Sequence, residues 1–152
     1  MAAWFSATTA GGPFQLYKLG FDESVTQWTA DPGSGGTGLA PQDLTFFNSA
    51  VWFGGVTLAN GLQLFKLGND GSVTQWTDIG NDLSPIPVSV PTKDPDSTPL
   101  STFNNALWFS ADNPNNGGRE LYKLGADGSF ILWKDINPGP LGSNPHDWAV
   151  LG

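Results

Sequence analysis

Short runs of alternating apolar and polar residues, each cut off by Gly, Pro, Asn or Asp, fill this chain from end to end. Alternation with a period of two marks a half-buried strand, and the residues that end each run are turn formers. Gly or Pro interrupts every long window, so no stretch sustains a helical period. In the middle of the chain the pattern predicts strands at 44–47, 51–55, 62–67 and 72–78. Asn48-Ser49 separates the first two and Asn69-Asp70-Gly71 the last two. Asp-Gly is a strong hairpin signal, because both residues of the favoured two-residue turn must tolerate positive φ.

The same sentence is written three times. Trp4, Trp52 and Trp108 sit in AAWFS, AVWFG and ALWFS; LYKLG at 16–20 matches LFKLG at 64–68 and LYKLG at 121–125; Trp28, Trp76 and Trp133 follow. The first spacing is 48 residues at every landmark and the second is 56 or 57, most of the excess falling in the Pro-rich stretch 80–99. Four short strands per unit of this length is the range of a propeller blade. The chain is therefore expected to be all-β, a single domain over 1–152 with units at approximately 2–42, 43–98 and 99–146.

The frame of the repeat adds a second expectation. The chain opens on the second strand of a unit, and 145–152 (PHDWAVLG) aligns without gaps to 41–48 (PQDLTFFN), the first strand of a unit. Three blades are too few to close a ring, since propellers use four to eight. Two chains and six blades close one, with the strand 145–151 completing the first blade of the partner and leaving no bare sheet edge. The expected assembly is a strand-exchanged homodimer with two-fold symmetry. The alternative is a closed three-unit β-domain as a monomer.

Composition narrows the partners. The net charge is −8, with only 6 basic residues, which argues against a phosphate-backbone partner, so no nucleic acid is expected. There is no Cys, hence no disulfide and no thiol chemistry. No apolar run approaches the roughly 20 residues of a membrane span. The first ten residues, MAAWFSATTA, lack the basic and apolar regions of a secretory leader, which leaves the compartment open.

The third copy reads FSAD at 109–112, GRELYK at 118–123, DGS at 127–129, WKDINPG at 133–139 and SNP at 143–145. This resembles the bacterial repeat family named for its Glu-Leu-Trp…Asp-Gly-Thr signature (the ELWxxDGT type), whose units also carry a Lys-Asp-Ile-x-Pro-Gly stretch. Tyr122 stands here for Trp and Ser129 for Thr, the Gly-Thr pair that follows the motif is absent, and the first two copies share less of the pattern. The resemblance implies a propeller-like fold and an adhesion-like, extracellular or surface setting. It brings no catalytic residues with it.

Candidate chemistry is sparse. The run 33–38 formally satisfies GxGxxG, but Leu39-Ala40-Pro41 follows where a dinucleotide site needs a helix. The acidic turns Asp22-Glu23, Asp70-Gly71 and Asp127-Gly128 offer one or two carboxylates each, where calcium wants six to eight oxygens, so they read as hairpin turns. The segment 112–116 is richer in oxygens and is a weak metal candidate. His146 is the only histidine and there is no nucleophile elbow, so no catalytic residue, metal site or cofactor is assigned.

The recurring residues say more. Half of the basic residues, Lys18, Lys66 and Lys123, occupy one equivalent place in the three copies. A two-residue turn before Trp76 would set Lys66 opposite Gln75; a three-residue turn would set Leu64 opposite Trp76 and bring Lys66 diagonally over that ring. Such a cation–π contact is worth roughly 0.5–2 kcal/mol. The expected ligand-binding residues are Trp28, Trp76 and Trp133, with Lys18, Lys66 and Lys123 and the acidic neighbours Asp31, Asp78 and Asp135. The expected function is non-enzymatic: a multivalent, lectin-like propeller for a glycan or cell-surface ligand. The alternative is a structural or protein-docking scaffold that uses the 80–99 loop, with the Trp rows as core.

Overall fold

The computed structural model describes residues 2–8, 12, 14–29, 39–57, 61–76, 100–112, 119–139, 141–143, 145 and 149. Among them, eleven strands and no helix are found. The first sheet holds β1 (Ala3–Thr8), β2 (Phe14–Leu19) and β3 (Val25–Gln27). The second holds β4 (Gln42–Phe47), β5 (Ala50–Thr57), β6 (Gly61–Leu67) and β7 (Val73–Gln75). The third holds β8 (Ser101–Phe103), β9 (Ala106–Asp112), β10 (Arg119–Gly125) and β11 (Phe130–Lys134). Each is an antiparallel meander in which chain neighbours are sheet neighbours. The expected all-β class is seen, and four strands stand where the middle unit was expected to have them, the fourth ending at Gln75 rather than running on through Trp76, with 77–78 outside the described residues. The segment 145–151, expected to complete a first sheet, lies outside the described residues apart from Pro145 and Ala149. No described helix is long and apolar enough to cross a membrane.

Two kinds of turn are found among the described residues, and they divide the work differently from the sequence expectation. Asn48-Ser49 and Asn104-Asn105 have positive φ at both residues (49° and 59°; 49° and 55°), which is the two-residue turn that matches strand twist. At Asn69-Asp70-Gly71 only Gly71 is left-handed, with φ 83°. Gly68 N–H donates to Ser72 O at 2.9 Å and Gly71 N–H donates to Gly68 O at 3.0 Å. This is a three-residue turn with glycine in the last place, and Gly125–Ser129 repeats it. It sets the register Phe65↔Gln75, Lys66↔Thr74 and Leu67↔Val73, and so brings Leu64 opposite Trp76, whose N–H donates to Leu64 O at 2.8 Å.

Alternation then gives each sheet two faces. In the first, Trp4 lies across from Lys18, with Leu16 two residues away on the same side; Phe5 and Tyr17 face the other way. The first set is called the front face here and the second the back face. Front of one sheet packs on back of the next. Leu16 joins Phe53, Phe65 and Leu67 of the second sheet in one buried cluster, closed by Leu39. Trp52, Leu64 and Phe47 of the second sheet join Leu107, Phe109, Tyr122 and Leu124 of the third in another. Across each back face an aromatic pair is stacked: Phe5–Tyr17, Phe53–Phe65 and Phe109–Tyr122, with ring centroids 5.7, 5.7 and 6.2 Å apart. Large flat side chains suit this place because the gap between successive sheets must be filled to interior density.

Candidate functional site

The two turn types together place the repeated Trp and Lys residues. Register sets Trp4, Trp52 and Trp108 directly across from Lys18, Lys66 and Lys123. The three-residue turn brings Trp28 and Trp76 diagonal to Lys18 and Lys66. In the third sheet a bulge lies in this spot. Leu121 pairs with Lys134 but Tyr122 with Leu132, so Trp133 is the extra residue.

The result is one motif three times over. The indoles of Trp4 and Trp28 meet edge to face at 5.2 Å and 85°, those of Trp52 and Trp76 at 5.3 Å and 81°, and those of Trp108 and Trp133 at 5.4 Å and 84°. A lysine ammonium sits over both rings of each pair. Lys18 Nζ is 5.9 and 5.1 Å from the centroids of Trp4 and Trp28. Lys66 Nζ is 5.7 and 5.4 Å from those of Trp52 and Trp76. Lys123 Nζ is 5.7 and 4.8 Å from those of Trp108 and Trp133. The expected diagonal contact is thus present, and a second indole, which nothing in the sequence assigned to the lysine, completes a corner.

The inner indoles of the second and third corners are fastened to the backbone, and the outer indole of every corner is partly exposed. Trp52 Nε1–H donates to Phe47 O at 3.0 Å and Trp108 Nε1–H donates to Phe103 O at 2.8 Å. Trp28, Trp76 and Trp133 are 37%, 41% and 52% exposed, large values for tryptophan in so small a protein. Trp28 also reaches the next sheet: its Nε1–H donates to Gly71 O at 2.7 Å. A Cβ at Gly71 would run into Cζ2 of Trp28, so glycine is required there by contact as well as by its φ. Trp76 points at the equivalent Gly128 with more room, 3.8 Å from Cζ2 to a Cβ built there.

Each corner has a turn carboxylate beside it. Asp22, Asp70 and Asp127 accept from the hydroxyls of Ser24, Ser72 and Ser129 at 2.6, 2.7 and 2.6 Å, and from their backbone N–H groups at 3.2, 3.0 and 2.9 Å. These bonds to the ionised form hold all three carboxyls below the ordinary aspartate pKa, the serine hydroxyl foremost, and the lysine of the same sheet adds a smaller pull. Among the described residues, the hairpin-turn acids are in electrical contact with the lysines. Of the acidic neighbours expected from sequence, Asp135 lies half-buried just after β11, while Asp31 and Asp78 are outside the described residues. The same holds for 33–38, for 80–99, for 113–116 of the oxygen-rich segment and for His146.

One repeated place went unmarked by the sequence pattern. Gln15, Gln63 and Glu120 occupy equivalent positions on the back faces, and all three are buried. Gln15 Oε1 accepts from the hydroxyl of Thr29 at 2.8 Å. Glu120 Oε2 accepts from Ile136 N–H at 2.8 Å and from the hydroxyl of Ser143 at 2.7 Å, pinning the segment after β11. A polar residue at this spot in every copy was the available signal. Among the described residues there is no cluster of three or more His, Asp or Glu side chains that could hold a metal ion. Comparison of the chain with protein-family models, curated proteins and solved structures gives no significant match.

Proposed function

We propose that this protein is a non-enzymatic, multivalent carbohydrate-binding propeller, a divergent relative of the Glu-Leu-Trp…Asp-Gly-Thr repeats, in which two chains close a ring of six blades. The observation that carries the reading is the threefold recurrence of one corner, a lysine between two perpendicular indoles of which the outer one is exposed. Chance placement would scatter six basic residues; here three of them stand at the same lattice point. The chemistry suits a sugar. The open face of Trp28, Trp76 or Trp133 covers the apolar C–H patch of a pyranose, the ammonium donates to a hydroxyl, and the turn aspartate accepts from another. Each site alone binds weakly. Several engaged together gain by avidity, often by a factor of about 10²–10⁴.

A glycan array with the 152-residue chain tests the reading. Binding to a defined group of glycans, lost in Trp76→Ala, Trp28→Ala and Trp133→Ala while the fold is kept, supports it. A blank array contradicts it. A second reading, a protein-docking scaffold, is favoured by one observation: the Trp28 indole holds the turn of the next sheet, which is a packing role. In that case the array is blank and a protein partner is captured only when 80–99 is present.

A further inference from the structure

Among the described residues two faces of the stack are without a covering sheet, and they are the two that the chain's own packing rule would join. On the front of the second sheet Phe47 is 7% exposed; at the same place on the front of the third, Phe103 is 56% exposed. Leu64 is buried and its counterpart Leu121 only half-buried. The back of the first sheet tells the same story. Phe5 and Tyr17 are half-buried, whereas Phe53, Phe65, Phe109 and Tyr122, their equivalents in the sheets that have a neighbour, are all buried. Front on back is packed twice within the chain. The third sheet offers an unfilled front and the first an unfilled back, built of the same residue types in the same register.

We infer that the front of the third sheet docks on the back of the first sheet of a second copy, and that this junction completes the third Trp–Lys corner with the turn Phe21–Ser24 of that copy. The inference deepens the ring reading above and rests on it. Head-to-tail stacking adds three sheets per copy, and six is the only multiple of three within the four to eight blades that close a propeller. Both junctions of a two-chain ring are then identical, related by a two-fold axis.

The junction also carries a chemical difference. Where the second and third sheets present Gly71 and Gly128 to the preceding tryptophan, the first presents Glu23, already held at φ 62°. The tight seat of Trp28 on Gly71 has no room for a side chain, but the looser seat of Trp76 on Gly128 leaves ordinary contact distance for a Cβ. Trp133 stands on a bulge and is the most exposed of the three outer indoles. The third corner therefore receives a carboxylate near Lys123, an extra hydrogen-bond acceptor that the other two corners lack. Two of the six sites in the ring belong jointly to both chains.

The chain's own contacts supply the test. Asn48 Nδ2–H donates to Ala126 O at 2.9 Å, joining the β4–β5 turn to the β10–β11 turn of the next sheet. The equivalent pair at the closing junction is Asn104 with Phe21 of the second copy. The chain has no Cys, so a doubly substituted chain, Phe21→Cys with Asn104→Cys, can be bridged by a short bifunctional thiol reagent and read by denaturing mass measurement. Asn48→Cys with Ala126→Cys is the internal control and should bridge within one chain. The expected result for the first pair is a bridge between chains, giving a covalent dimer. A bridge within one chain overturns the inference, as does no bridge in a protein whose control pair reacts. Glu23→Lys gives an independent reading: like charge beside Lys123 should raise the concentration of half-dissociation by about tenfold or more. An unchanged dimer overturns the placement of Glu23. A native dimer that does not bridge leaves the ring standing with another junction, whereas a native monomer removes ring and junction together; the glycan array reports separately on sugar binding.

Discussion

The middle sheet and its two neighbours are near-copies in sequence and register, yet they live in different surroundings. The middle sheet has a neighbour on both faces, and its Phe47, Trp52, Phe53, Leu64, Phe65 and Leu67 are all buried. Among the described residues the first sheet is packed by a neighbouring sheet on its front alone and the third on its back alone. Burial in this fold is therefore a property of the junction and not of the strand. A residue reads as core or as surface according to which sheet comes next, and the same letter of the repeat takes both roles within one chain.

The largest effect that would break this comparison is at the aromatic stacks. Phe53→Ala should cost about 3–5 kcal/mol in denaturant unfolding, since it empties a filled gap between sheets. Phe5→Ala, its counterpart on the open back of the first sheet, should cost far less in dilute protein and approach the Phe53 value as concentration rises. Equal costs at all concentrations would mean that Phe5 has its full set of neighbours in a single chain.

Next comes the left-handed turn residue. Gly71→Ala should destabilise by about 1–3 kcal/mol, the left-handed backbone costing about 1–2 kcal/mol and the contact with Trp28 the remainder. Gly128→Ala should cost only the backbone part, because its Cβ would stand clear of Trp76. Glu23→Gly should stabilise the single chain slightly. Identical costs at Gly71 and Gly128 would deny that Trp28 is seated more tightly than Trp76.

Smaller again is the lysine. Lys66→Met keeps the stem and removes the charge, and should cost about 0.5–2 kcal/mol through the lost cation–π contacts. Lys18→Met and Lys123→Met should fall in the same range if the three corners are equivalent.

The smallest effect is the acid response of the turns. Asp22, Asp70 and Asp127 have folded pKa values below their unfolded ones, so their contribution is present above the unfolded aspartate value and is lost as pH falls through the folded one. Stability should therefore decline from about pH 4 downward. Converting all three to Asn should flatten that decline, and an unaltered acid limb would assign the loss to other carboxylates.

The repeat, the strand positions and the lysine–tryptophan diagonal were legible in the sequence because they are local. Alternation fixes which side a residue faces, and turn length fixes register. The Asn-Asp-Gly stretch left two registers open, and it took the backbone to show that Gly71 alone is left-handed while Asn48-Ser49 makes the two-residue turn. The inner indoles Trp4, Trp52 and Trp108 were not linked to the lysines, because that pairing crosses a different hairpin from the one that signalled the site. Nor did the pattern reveal Glu120, since a buried carboxylate looks like an exposed one until its partners Ile136 and Ser143 are in place.

The claim on which the rest depends is that these open faces require a second copy. Light scattering on the 152-residue chain across a concentration series tests it most directly. The expected result is a particle of about 32 kDa, twice the 16.1 kDa of one chain, giving way to half that mass on dilution. A particle that stays at 16.1 kDa at every concentration, with Phe5, Tyr17 and Phe103 still facing water, would contradict it.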